Sequence, residues 1–322
     1  MTTTASTLTI PDPIQVLTRD LKAAAATLTA TEARYLVDYY YTMQENRKRA
    51  DNQVRALGEA VEPHSIILWL ATNTDTLERN IRSALLSYST HNPVGAWAMS
   101  IRGIGPVIAA GLLAHIDITK APTVGHIWRF AGLDPTVKWA KGQKRPWNAQ
   151  LKTLCWKIGE SFVKQSGNMD SLYSRVYKER KQLETELNEA GAFKDQAAIS
   201  LQTRNFSRDT VARKYYEEGK LPPARIHLRA QRYTVKLFLA HLHCVWYYVE
   251  YNRLPPKPYV LEHLGHAHFI FPPNVDLVPG LREALASQGT KAKFKDAKEI
   301  SGIYDITGGL DASEYVNRMR DA

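Results

Sequence analysis

MSIRGIGPVIAAGLLA, residues 99–114, places two glycines one residue apart and a proline directly after the second. Gly103 and Gly105 permit a tight turn with positive φ and a close backbone approach, and Pro106 suits the first helical position, where its missing N–H costs nothing. A helix therefore starts at Pro106. Its unobstructed N–H groups and the positive end of its dipole form an anion site that a phosphate fits. Ile104 is expected to point inward and lock two short helices together, with Val107, Ala110 and Leu113 or Ala114 as the packing face. An ordinary helix start after a glycine-rich turn gives the same bare Gly-x-Gly, but the apolar flanks and the small-residue helix favour a helix-hairpin-helix. Such an element grips a nucleic-acid backbone and carries little base information. Arg102, Gly103, Ile104, Gly105 and Val107 are its candidate binding residues.

Upstream, residues 1–12 are rich in Thr and Ser and read as a loose leader. The pattern turns helical from Ile14. Thr29 followed by Glu32 is a capping-box signature opening a run without Gly or Pro up to Gly58. Leu36, Tyr39, Tyr40 and Met43 give that helix an apolar stripe. Pro63 interrupts, and Ile66, Ile67, Leu70, Leu77, Ile81 and Leu85 mark a second helix over 65–88, so the two make a helical hairpin.

Downstream, residues 124–132 read as a short helix, 133–146 as a basic loop and 146–165 as a long amphipathic helix closed by Gly167. Residues 172–188 are charged and helix-prone, as in an exposed or coiled helix. Residues 191–219 are polar and without clear period. Pro222 and Pro223 open the strongest remaining helix, 224–251, which Pro255, Pro256 and Pro258 end. The expected class is all-α: a helical N-terminal region (1–92), a helix-hairpin-helix domain (93–168), a helical C-terminal region (169–287) and a mobile basic tail (288–322) containing Lys291, Lys293, Lys295 and Lys298.

The net charge of +10 on 322 residues favours polyanionic partners, since each cation placed on a phosphate releases a condensed counterion. No run of eighteen apolar residues and no signal-peptide layout occurs, so the expected setting is the cytoplasm, without a membrane. Cys155 and Cys244, far apart in helical patterns, read as buried thiols.

Between Asp134 and Lys157 the cations Lys138, Lys141, Lys144, Arg145, Lys152 and Lys157 interleave with Trp139 and Trp147, a mixture that suits backbone neutralisation plus base stacking. Both Trp residues could equally belong to the core. In 224–251, Arg225, Arg229, Arg232 and Lys236 form a basic stripe. One residue on, Ile226, Ala230, Tyr233, Leu237, Ala240 and Cys244 form an apolar one. Arg225 in a first turn opposes the helix dipole, so an anion close by would suit it. Lys138, Lys141, Lys144, Arg145, Arg225, Arg229, Arg232 and Lys236 complete the candidate set. His227, His241, His243, His263, His266 and His268 crowd the C-terminal third, but no four-ligand zinc spacing stands out, so no metal site is assigned.

Residues 101–162 resemble the C-terminal domain of the insertion-sequence transposases of the one-ten type. The likeness lies in Gly103-Ile104-Gly105-Pro106, Ala109-Ala110-Gly111-Leu112-Leu113, Phe130-Ala131-Gly132-Leu133-Asp134-Pro135 and a Lys-rich link to a helix ending near Phe162. The resemblance implies a nucleophilic serine in this domain, a RuvC-like N-terminal domain with metal-binding acids, and a guide RNA. The chain departs from that plan. Residues 1–90 read as helices with no Asp on an apolar strand, and Trp139-Ala140-Lys141-Gly142 stands where the serine would fall. The nearest hydroxyls are Thr136, Ser161 and Ser166, and no catalytic residue carries over. The preferred reading is a DNA-binding protein of transposase descent without catalysis or cofactor. The alternative is an active recombinase component with a divalent metal and acids such as Asp117 and Asp134. Structured RNA and a second copy of the chain stand as further partners.

Overall fold

The computed structural model describes residues 11–58, 62–168, 170–207, 209–256 and 270–287, which contain helices and no strand. No helix among them is long and apolar enough to cross a membrane. The chain forms two compact units. One gathers the residues up to Met99 with Gly105–Ile116, and the other gathers Ser100–Ile104 with the residues from Asp117 on.

The first unit holds α1 (Arg19–Ala24), α2 (Ala30–Gly58), α3 (Ser65–His91), α4 (Pro93–Met99) and α5 (Pro106–His115). The capping box closes reciprocally: Thr29 N–H donates to Glu32 Oε2 at 2.7 Å and Glu32 N–H donates to Thr29 Oγ1 at 3.3 Å. The helix expected from Ile14 begins only after Thr18. Asn73 and Asn80, two turns apart on α3, bind the backbone of the preceding segment through Ile14 N–H, Leu17 N–H and the Gln15 carbonyl, holding it uncoiled. Val37, Tyr40 and Met43 of α2 and Ile81 and Leu85 of α3 share one core with Val107 and Ala110 of α5. That shared core puts α5 in one compact unit with α2 and α3. α5 is apolar all round and eight of its ten residues are buried, as the absence of a polar face demands. Gly95 lets α4 approach closely, since a Cβ there would collide with the Ser89 carbonyl oxygen and Leu113 Cδ1.

The second unit holds α6 (Val124–Phe130), α7 (Ala149–Lys164), α8 (Leu172–Glu189), α9 (Lys194–Thr203), α10 (Val211–Glu217), α11 (Pro223–Tyr251) and α12 (Leu281–Ser287). α11 packs against α6, α7 and α8. At its centre Phe162, Tyr173 and Phe238 form an aromatic cluster, with Phe162 stacked on Tyr173 at 4.8 Å and Phe238 edge-on to both. α8 is therefore not the exposed helix its charges suggested. Residues 172–177 are all buried, and only the later turns reach solvent. The featureless stretch 191–219 contains α9 and α10, joined by Ala197, Tyr216, Leu221 and Ile226. On α11 the core face runs through Ile226, Ala230, Thr234, Phe238, His241 and Val245, so Tyr233, Leu237 and Ala240 only border it. Glu184, fully buried, accepts from Arg180 of its own helix at 2.5 Å and from Arg229 of α11 at 2.6 Å.

His241 links two parts of this core: its Nδ1 meets the Tyr173 hydroxyl at 2.8 Å and its Nε2 the Ile270 carbonyl oxygen at 2.8 Å. Burial outweighs the bond to Ile270 and brings its pKa down from 6.5 to about 4. The folded state thus holds a neutral ring where the unfolded chain binds a proton, so stability is present above pH 6.5 and lost as pH falls from 6.5 toward 4. The shift corresponds to roughly 3 kcal/mol. Chemical denaturation at pH 7 and pH 4.5 is expected to show a smaller acid loss in His241→Gln than in the parent.

Candidate nucleic-acid interface

The turn between α4 and α5 is set by two glycines with different tasks. Ile104 N–H closes on the Ile101 carbonyl at 2.9 Å, and Gly103 takes φ +97°, the left-handed region that glycine favours. The Gly103 carbonyl accepts a 2.6 Å hydrogen bond from Ser161 Oγ on α7, and a Cβ on Gly103 would stand 3.0 Å from that oxygen. Ser161, one of the nearest hydroxyls to the expected nucleophile position, thus holds the turn. Arg102 is exposed, whereas the Ile104 side chain is buried.

Gly105 corrects the expectation of positive φ at both glycines. Its φ of −96° and ψ of 175° are ordinary extended backbone, and nothing lies within 4 Å of a Cβ built on it. The fold places no steric demand on this glycine. It is the N-cap of α5, Pro106 follows at the start of the helix, and no side chain caps the first turn. The N–H groups of Val107 and Ile108 accordingly have no intrahelical acceptor. The Val107 side chain lies in the core with Val37 and Tyr40, so at positions 104 and 107 only the backbone can meet a ligand.

A separate basic surface lies on the second unit. Gly132, at φ +66°, ends the turn after α6 with Trp147 and Lys152 directly over it, where a Cβ would stand 2.9 Å from the indole and 3.0 Å from Lys152 Cδ. Asn148 N–H donates to the Phe130 carbonyl, and Asn148 Oδ1 caps α7 through Leu151 N–H. The loop 133–148 is thereby tied at its root. Lys152 Nζ lies 3.9 Å from the centre of the Trp147 ring, Lys236 Nζ 4.1 Å from Trp128, and the Arg145 guanidinium 5.7 Å from Trp139. Trp139 and Trp147 meet edge-on at 6.0 Å. Lys138, Lys141, Lys144 and Arg145 are exposed, and none forms an ion pair among the described residues.

Residues 96–157 match the Transposase IS116/IS110/IS902 family. The transposase-family segment includes the glycine turn, α5, the Gly132 turn and the tryptophan-bearing loop. No curated protein and no solved structure matches the chain.

Burial leads in lowering the pKa of three cations around this segment, and neighbouring cations add to it. Burial, then Arg232 and Arg145, lowers the Lys152 pKa; burial, then Arg225 and Arg229, lowers that of Arg232. Lys236 is lowered by burial and by Arg232, partly offset by Asp134. Arg229 is the member of the candidate set already engaged, being paired with Glu184 and lying over the Phe193 ring at 4.4 Å. Arg225 is half-buried at the start of α11.

The acids considered for catalysis serve local turns. Asp134 accepts from Thr136 N–H at 2.9 Å and Thr136 Oγ1 at 2.7 Å, and the backbone bond leads in holding its carboxyl below the usual range. Asp117 accepts from Thr119 and pairs with Lys120 at 2.7 Å. No group of three His, Cys, Asp or Glu side chains that could hold a metal occurs among the described residues. His243 Nε2 meets the Ala121 carbonyl oxygen and His227 Nδ1 the Tyr177 hydroxyl, while His263, His266 and His268 lie outside the described residues, as does the tail 288–322. Cys155 and Cys244 are free and buried, their thiols pushed up to about 12 by desolvation.

The two glycines should separate in experiment. Gly103→Ala is expected to lower stability by about 1 kcal/mol or more, through a strained φ and displacement of Ser161. Gly105→Ser supplies an N-cap in open space and is expected to leave stability unchanged or raise it by up to ~1 kcal/mol. Thermal unfolding of both variants checks this ordering.

Proposed function

We propose that this chain is a DNA-binding protein related to transposases that holds the phosphate backbone. One contact is the first turn of α5 with the Gly103–Gly105 turn before it. The other is the basic, tryptophan-bearing surface formed by the 133–148 loop, Lys152, Arg232 and Lys236. The observation that carries this reading is the row of cations laid over tryptophan rings, Lys152 over Trp147, Lys236 over Trp128 and Arg145 over Trp139, none with an ion-pair partner among the described residues. Like charges gathered this way oppose folding, and a bound phosphodiester would relieve them. Gly105 adds support, because the fold itself has no need of a glycine there, whereas a ligand approaching the backbone does. Neither contact reads base edges, so binding is expected to vary little with sequence.

A second reading, an active recombinase component using a divalent metal, is favoured by the family match. It predicts metal-dependent cutting of supercoiled DNA that disappears in Asp117→Asn or Asp134→Asn. The binding reading predicts no cutting. Structured RNA or a second copy of the chain as partner would appear as RNase-sensitive co-purification or as a doubled mass in solution.

Two binding measurements test the main reading. Replacing Lys141, Lys144 and Arg145 by Ala is expected to reduce the slope of log K against log salt by about 0.9 for each phosphate that is no longer neutralised. An unchanged slope would make the loop a bystander. Gly105→Asp caps the α5 N–H groups from within and sets a negative charge at the anion site. It should weaken DNA binding about tenfold or more without lowering the unfolding midpoint.

A further inference from the structure

Resting on that reading, we propose that the tryptophan-bearing surface takes unpaired DNA, with a base stacked on Trp139 while the surrounding cations hold the flanking phosphates. Trp139 is 38% exposed although its one polar atom is already satisfied, the indole N–H donating to the Gln143 carbonyl at 2.8 Å. That bond and the edge-on contact with Trp147 fix the ring in place. A large flat apolar surface is thus presented preformed to solvent within a loop.

Its neighbours specify the ligand. Lys138, Lys141, Lys144 and Arg145 surround it in sequence, and Arg145 lies over the ring, so a protein partner with an apolar patch would have to desolvate several cations. Trp147, the other ring of the pair, is covered by Lys152 at 3.9 Å and by the Gly132 turn, whereas Arg145 stands farther from Trp139, at 5.7 Å, so Trp139 is the more open ring. Trp156, 54% exposed one turn beyond Lys152 on α7, and Phe130, 43% exposed at the end of α6, place further aromatic surface on the same family segment. A duplex keeps its base faces stacked on one another and offers such rings phosphates, sugars and groove edges, not a face to stack on. Exposed aromatics interleaved with cations are the arrangement that binds unpaired strands, through base stacking together with backbone neutralisation.

The test measures binding of the full chain to a mixed-sequence DNA strand, to the same sequence as a duplex, and to the RNA strand, at one salt concentration. Trp139→Ala should weaken single-strand DNA binding about tenfold and leave duplex binding and the salt slope unchanged, while Trp139→Phe, which keeps a flat ring, retains most of the affinity. Tryptophan fluorescence should be quenched by the strand in the parent and less so in Trp139→Ala. Equal losses for strand and duplex, no loss in either, or a Trp139-dependent preference for RNA over DNA would each overturn the proposal. A misfolded variant would lose duplex binding as well, and the Phe variant separates that case from loss of stacking. Failure of the parent to bind any of the three polymers would sink the backbone-binding reading itself. Duplex binding without strand binding would sink only this inference.

Discussion

Most of the second unit depends on how closely α7 and α11 approach one another. Gly159 makes that approach possible: a Cβ there would stand 2.5 Å from Gln231 Cγ, and Gln231 Nε2 completes the contact by donating to Glu160 Oε1 at 2.8 Å. With the helices seated at this point, Lys152, two turns earlier on α7, falls within the field of Arg232 on α11. Gly159 and the cations Lys152 and Arg232 thus lie on the same pair of packed helices. A larger residue at 159 would have to displace the Gln231 side chain and with it the bond to Glu160.

The electrostatics of this unit divide into two kinds. Around Glu184 the charges are paired and buried, Arg180 and Arg229 closing on one carboxylate, which ties α8 to α11. Around Lys152 the cations have no ion-pair partner among the described residues and lie against aromatic faces, a weaker attraction. Both arrangements involve the same helix, α11, and the basic stripe seen in its sequence contains members of each. Periodicity alone places Arg225, Arg229, Arg232 and Lys236 on one face. It cannot tell which of them meets a carboxylate brought in by α8.

The features legible in the sequence were those that local rules determine. The Thr29–Glu32 box, the proline at the head of α5, the proline pair before α11 and the long amphipathic periods all act within a few residues, and each appears as expected. What escaped depends on distant partners. The early burial of α8 comes from Phe162 and Phe238, and α9 and α10 form because Tyr216 and Ala197 meet Ile226. Segment 14–18 stays uncoiled because Asn73 and Asn80 reach it from α3. The site behaved alike. The glycine turn and the basic loop were visible, whereas the supporting bond from Ser161 and the differing conformations of Gly103 and Gly105 were not.

The division of the chain has a consequence for how the protein can be cut. Because residues 100–104 belong with the later helices while the helices flanking them belong with the earlier ones, the backbone passes from one unit to the other three times. Neither unit is a contiguous stretch of gene. A fragment beginning at residue 117 would leave the Ser161 hydroxyl without the Gly103 carbonyl and α7 without its turn, and a fragment ending at Met99 would strip α2 and α3 of the apolar helix that fills their core. Simple truncation at either border therefore cuts through a packed unit.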